Sequence, residues 1–262
     1  EVTKNAVLID PQRQVKESIR DDSWFARLAI VDPALTLSLG PAATASTGAD
    51  ALCQAIEALV STGAGPLSDE LAPQNSEYHL WLGRAYGRKA GRDRSFSYAR
   101  RSKASFEQAV RHGEDLAARS DMLYGSLLAG MAMTNARLGA VHGLAHPLGA
   151  RCGLAHGIVC GLLLPYVMAY NLDWAAARYA RVAELLGLPV GGAPPRAAAE
   201  QAIAWVRDLL VRVGIPLRLG PLGVRAEDLA GLVAEALTQS SLKFNPRPMG
   251  AEDVRVVLEE AL

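Results

Sequence analysis

The chain has 262 residues, half of them hydrophobic, enough to bury one large core or two modest ones. Its 27 basic and 27 acidic residues cancel to a formal net charge of zero, so no global field draws it to nucleic acid or to an anionic membrane. Cys53, Cys152 and Cys160 are odd in number and lack the Cys-x-x-Cys spacing of a zinc knuckle or redox motif. They read as reduced thiols of a cytosolic protein, and the apolar surroundings of Cys152 and Cys160 argue for buried, protonated thiols at those two. The longest apolar run, Gly157 to Tyr170, contains Pro165 and is too short for a bilayer core of roughly 30 Å. A cytoplasmic protein without a membrane or nucleic-acid partner is the expectation; a homo-oligomer fits the same composition.

The first forty residues hold two short β-prone runs, Asn5–Ile9 and Arg27–Val31, the second stopped by Asp32 and Pro33. From Thr44 onward the pattern is helical. Thr44 or Ser46 is placed to cap a helix running through Asp50 to Val60. Further helical stretches are expected over 115–137, 158–169, 175–186, 196–213, 226–237 and 252–261, separated by Gly-Pro punctuation such as Gly191–Pro195 and Gly220–Gly223. Successive helices with short connections predict a mainly α chain, a helical bundle after a short β-containing N-terminal remnant. Trp174, Tyr179 and Trp205 fall at helical positions and read as core packing.

Between Pro73 and Gln108 apolar density drops, and eight basic residues, Arg84 to Lys103, make the local field positive. Tyr78–Tyr86 followed by Ala104–Val110 resembles one tetratricopeptide unit, which cannot bury its apolar face alone. The plain expectation is a helical hairpin docked on the bundle; a protein-partner module is the alternative.

Three of the five histidines fall between positions 142 and 156. His142 and His146, one turn apart, share a helix face. Pro147 and Gly149 are expected to break that helix and let the chain return His156 to the same point. Asp50 and Gln54, also four apart, offer an oxygen half-site on an earlier helix. Together with the two imidazoles of His142 and His156 they make a donor set suited to Fe²⁺ or Zn²⁺. The same spacings also suit hydrogen-bonded core histidines and a capping aspartate, and residues alone leave both readings open.

The segments Thr47–Glu57, Ala64–Asp69, Gly139–Gly157 and Leu163–Val167 resemble the iron-containing alcohol dehydrogenase family. Glu1–Val7 and Ala29–Thr36 are similar to the last part of that family's nucleotide-binding domain, and Asn245–Pro248 also fits. The resemblance implies a remnant of the α/β nucleotide-binding domain over 1–40 and an all-α metal-binding domain over 41–262, with an atypical insert at 73–108. It implies that Asp50, His142 and His156 hold the metal and that His146 relays a proton near the nicotinamide. Gln54 stands where many members have a further histidine ligand, a departure shared with some maleylacetate reductase-like relatives. Thr3, Asn5 and Lys16 correspond to regions lining NAD or NADP.

The implied activity is NAD(P)-linked, metal-dependent oxidoreduction of a small alcohol or aldehyde. No glycine-rich loop follows a strand and opens a helix, as pyrophosphate binding requires, so most of the cofactor domain is missing and weak turnover by the isolated chain is expected. The alternatives are a non-catalytic metal-binding or scaffold protein derived from the same family, or a maleylacetate reductase-like enzyme.

Overall fold

Periodic apolar residues and small loop residues settle most of the architecture. In the computed structural model, which describes residues 5–10, 15–20, 30–65 and 104–262, the helices are α1 (Pro41–Val60), α2 (Leu116–Ala136), α3 (Ala140–Cys152), α4 (His156–Tyr170), α5 (Leu172–Leu185), α6 (Pro195–Arg212), α7 (Leu229–Ala236) and α8 (Ala251–Ala261). The chain is mainly α, as its periodicity predicts. Helix α4 is apolar on every side, and that composition makes it the central helix. Leu162, Leu163, Leu164, Val167 and Met168 are buried in a core that α1, α3, α6 and α8 surround. Helices α4 and α5 are bent by 117° at Asn171, and among the described residues no single helix is long and apolar enough to cross a membrane.

Some helix ends follow local chemistry and others follow tertiary packing. Asp115 caps α2, its Oδ1 accepting from the Ala117 and Ala118 amides at 3.0 Å each. Helix α1 begins a turn earlier than Thr44, at Gly40 and Pro41, because proline's fixed φ and missing N–H suit the first helical position. Helix α3 does not stop at Pro147 or Gly149. It continues to Cys152 and ends where Gly153 takes a left-handed conformation (φ 65°, ψ 20°). An interior proline costs about 3 kcal/mol. Burial of Val141, Leu144, Ala145 and Leu148 offsets it, at roughly 1.5–3 kcal/mol for each large side chain.

Two strands, β1 (Asn5–Asp10) and β2 (Val15–Arg20), pair antiparallel with Asn5 opposite Arg20 and Asp10 opposite Val15. The second β-prone run was expected at Arg27–Val31. Residues 27–29 lie outside the described set, and Ile30 and Val31 are not in a strand. Pairing with β1, rather than intrinsic propensity, makes Val15–Arg20 extended. Of the 73–108 insert, only residues 104–108 are described, the start of a helix that runs to 111; Phe106 packs on Gly48 of α1. Tyr179 is buried as expected, whereas Trp174 is 63% exposed on α5 and is not a core residue.

Candidate metal centre

Three helices deliver the site. Asp50, Gln54 and Glu57 follow one another by four and three residues and so share a face of α1. His142 and His146 do the same on α3, and His156 and Cys160 on the first two turns of α4. Two glycines let α4 approach α1. A Cβ at Gly157 would overlap the Ser46 carbonyl, and one at Gly161 would lie 3.0 Å from the Ala49 methyl. Glycine at both positions brings Asp50 against His156 and Cys160.

The distances define a compact donor cluster. Asp50 Oδ1 lies 3.2 Å from His142 Nε2 and 3.6 Å from His156 Nε2. Cys160 Sγ lies 3.5 Å from His156 Nε2. The ligand atoms of Asp50, His142, His156 and Cys160 all fall within 4.8 Å of one another. Donors bonded tetrahedrally at roughly 2.0–2.3 Å stand about 3.3–3.8 Å apart. The donor chemistry and the spacing therefore fit a divalent cation.

Burial and charge are graded across the cluster. The His142 side chain is 3% exposed, whereas Asp50 and His156 keep 24% and 33%, so only their edge is open to an incoming molecule. Burial pushes the Asp50 pKa up, but the His142 hydrogen bond and the charges of His142 and His156 outweigh it and leave the carboxyl below its ordinary range. Burial likewise disfavours a charged His142. The Cys160 sulfur and the Glu57 and Asp50 carboxylates overcome that and hold its pKa well above the usual histidine value. For Cys160, burial dominates and pushes the thiol up to about 11.

Neighbouring groups fix the orientation of the donors. His142 Nδ1 lies 2.5 Å from Glu57 Oε2, and Glu57 Oε1 accepts the Val141 amide at 2.7 Å. A proton on Nδ1 leaves the Nε2 lone pair of the neutral ring directed at the cluster. His146 Nδ1 donates to Gln239 Oε1 at 3.1 Å, and its ring centroid lies 5.5 Å from that of His156. Asn245 accepts from the Ala140 amide at 3.3 Å and from Asn171 Nδ2 at 2.9 Å, pinning the start of α3 to the end of α4.

Of the residues singled out from sequence, Asp50, His142 and His156 converge and His146 stands beside them. Gln54 is adjacent, but its amide nitrogen donates to Asp50 Oδ2 at 3.0 Å. Thr3 lies outside the described residues; Asn5 and Lys16 fall on β1 and β2, described by backbone alone. Glu57, Cys160 and Gln239 were not anticipated. Cys160 is buried and raised in pKa as expected, yet its surroundings are not merely apolar: it sits among the donors. Its four-residue spacing from His156 on an unbroken helix was the available signal.

The profile of the Fe-containing alcohol dehydrogenase family, C-terminal, matches residues 102–262. A 1,3-propanediol dehydrogenase from Klebsiella pneumoniae is 35% identical over 261 residues, covering 100% of this chain and 62% of the relative. An NAD-dependent methanol dehydrogenase from Bacillus methanolicus is 35% identical over 262 residues, covering 100% of this chain and 63% of its own length. Among solved structures, an alcohol dehydrogenase from Oenococcus oeni superposes with a TM-score of 0.87 at 32% identity, over 99% of this chain and 62% of that one. The helical fold is that of the C-terminal domain of this family. The chain belongs to the iron-containing alcohol dehydrogenase family, and spans less than two thirds of the length of these relatives.

Proposed function

We propose that this chain supplies the metal-binding side of an NAD(P)-linked oxidoreductase acting on a small alcohol or aldehyde. The observation that carries the reading is the convergence of Asp50 Oδ1 with His142 Nε2 and His156 Nε2 at 3.2 and 3.6 Å. Asp50, His142 and His156 would hold a divalent cation, Fe²⁺ or Zn²⁺. Such a cation, when bound, supplies Lewis acidity toward an alcohol or carbonyl oxygen. The partly exposed Asp50–His156 edge is where that oxygen arrives. His146, held by Gln239 through Nδ1, presents Nε2 to take the alcohol proton and pass it toward solvent.

Hydride transfer belongs to the nicotinamide of NAD or NADP. Thr3, Asn5 and Lys16 are assigned to that cofactor, within residues 1–40 as a nucleotide-binding part and 41–262 as the metal-binding part. In support, β2 approaches α3, the helix bearing His142 and His146. The names of the relatives, a 1,3-propanediol dehydrogenase and a methanol dehydrogenase among them, support a short alcohol as the substrate class. The test is metal analysis after gentle purification together with titration by NADH and NADPH. One metal per chain with saturable nucleotide binding is the expected result. Neither metal nor nucleotide binding would overturn it and favour a scaffold protein.

A further inference from the structure

We propose that Cys160, and not Gln54, completes the set of protein donors to the cation, giving an Asp50–His142–His156–Cys160 centre. The inference rests on the metal reading above and concerns which side chain fills its fourth position.

The two candidates differ in what they present. Gln54 turns its amide nitrogen to Asp50 Oδ2 at 3.0 Å. That orientation sets a donor N–H against the carboxylate, since the amide oxygen and a carboxylate oxygen are both acceptors. An amide nitrogen with its protons does not ligate a cation. Gln54 is therefore a positioning residue: it occupies the second oxygen of Asp50 and leaves Oδ1 for His142 and His156.

Cys160 presents a donor directly. Its Sγ lies 3.5 Å from His156 Nε2 and belongs to the four-atom group within 4.8 Å. Helix α4 holds it one turn from His156, so the two donors move as one rigid unit. Its backbone is fixed too, since the Cys53 thiol donates to the Cys160 carbonyl at 3.1 Å. On coordination the thiol proton leaves to solvent and the cation takes its place on sulfur. A thiolate softens the donor set and shifts its preference from Fe²⁺ toward Zn²⁺.

Cobalt separates the outcomes. The full chain, stripped of metal, is titrated anaerobically with Co²⁺ and followed by absorption. The expected spectrum shows visible d–d bands saturating at one equivalent, with a near-ultraviolet thiolate-to-cobalt charge-transfer band. Cys160→Ser should abolish the charge-transfer band and weaken Co²⁺ binding on the order of 10–100-fold, at least the loss seen when outer partners of a metal are removed. Gln54→Ala and Cys152→Ser should keep the band. One-equivalent d–d bands without charge transfer in the unmodified protein would overturn the sulfur ligand and leave the metal reading intact. That outcome is read on the unmodified chain and requires no variant to fold. Persistence of the band in Cys160→Ser would also overturn the proposal, and no Co²⁺ binding at all would remove both readings.

Discussion

Glu57 Oε2 sits 2.5 Å from His142 Nδ1, two helical turns beyond Asp50, which meets the other nitrogen of the same ring at 3.2 Å. The imidazole is thus clamped between two carboxylates of α1. Glu57→Ala would leave both His142 Nδ1 and the Val141 amide without their buried acceptor. Each orphaned group costs about 1–3 kcal/mol, and loss of an orienting carboxylate lowers metal affinity about 10–100-fold. Urea melts and isothermal titration with Zn²⁺ check the two effects. Unchanged affinity with a lowered melting midpoint would confine Glu57 to a packing role.

Gly157 is the second point of control, because it lets α4 touch α1 at Ser46. Gly157→Ala must push the helices apart or deform one of them. Overpacking of this kind costs about 1–3 kcal/mol, and here it also moves His156 from Asp50. The variant should lose thermal stability and retain less than one metal per chain after dialysis. Full retention would mean that α1 and α4 have more freedom than their contact allows.

The His142 and Asp50 shifts give the metal-stripped chain a definite pH profile. The folded pKa of His142 is raised, so its contribution to stability is complete below the unfolded value of about 6.5 and fades as pH rises through the folded one. The Asp50 pKa is lowered, so its contribution holds above about 3.9 and is lost as pH falls through the folded value. Metal binding requires a neutral imidazole and releases the proton, which reverses the His142 trend. The gap between Zn²⁺-loaded and stripped melting temperatures should therefore widen as pH rises toward the raised folded pKa of His142 and level off above it. A gap independent of pH would contradict the assignment of His142 Nε2 to the cation.

His146 stands beside the donor cluster without joining it, and its substitution should separate chemistry from metal retention. His146→Ala is expected to keep its metal while NAD(P)-dependent alcohol oxidation falls about 10²–10⁴-fold, the usual contribution of a placed acid–base group. Loss of metal in parallel with rate would instead make it a structural support of His156.

Much of this centre is legible in residue spacing, and what is not depends on tertiary contact. Asp50, His142 and His156 stand out because histidine is rare in this chain and clustered. Glu57 is visible as a residue of the α1 motif, but only the packing of α3 on α1 gives it a partner. Cys160 looks inert in sequence because its chain neighbours are apolar; its spatial neighbours Asp50 and His142 come from distant helices. Pro147 departs from expectation for a related reason. Local propensity favours a break there, and burial of α3 on both sides overrides it. Trp174, a large apolar residue at a helical position, faces outward because α5 buries Leu172, Ala175, Tyr179 and Val182 instead.

The site as proposed holds one cation among Asp50, His142 and His156. Its most direct measurement is Zn²⁺ titration calorimetry on the stripped full chain beside Asp50→Ala and His142→Ala. The unmodified protein should bind one Zn²⁺ per chain, with affinity collapsing in both variants while circular dichroism still reports a helical fold. Equal binding in all three proteins, or none in the unmodified chain, would contradict it.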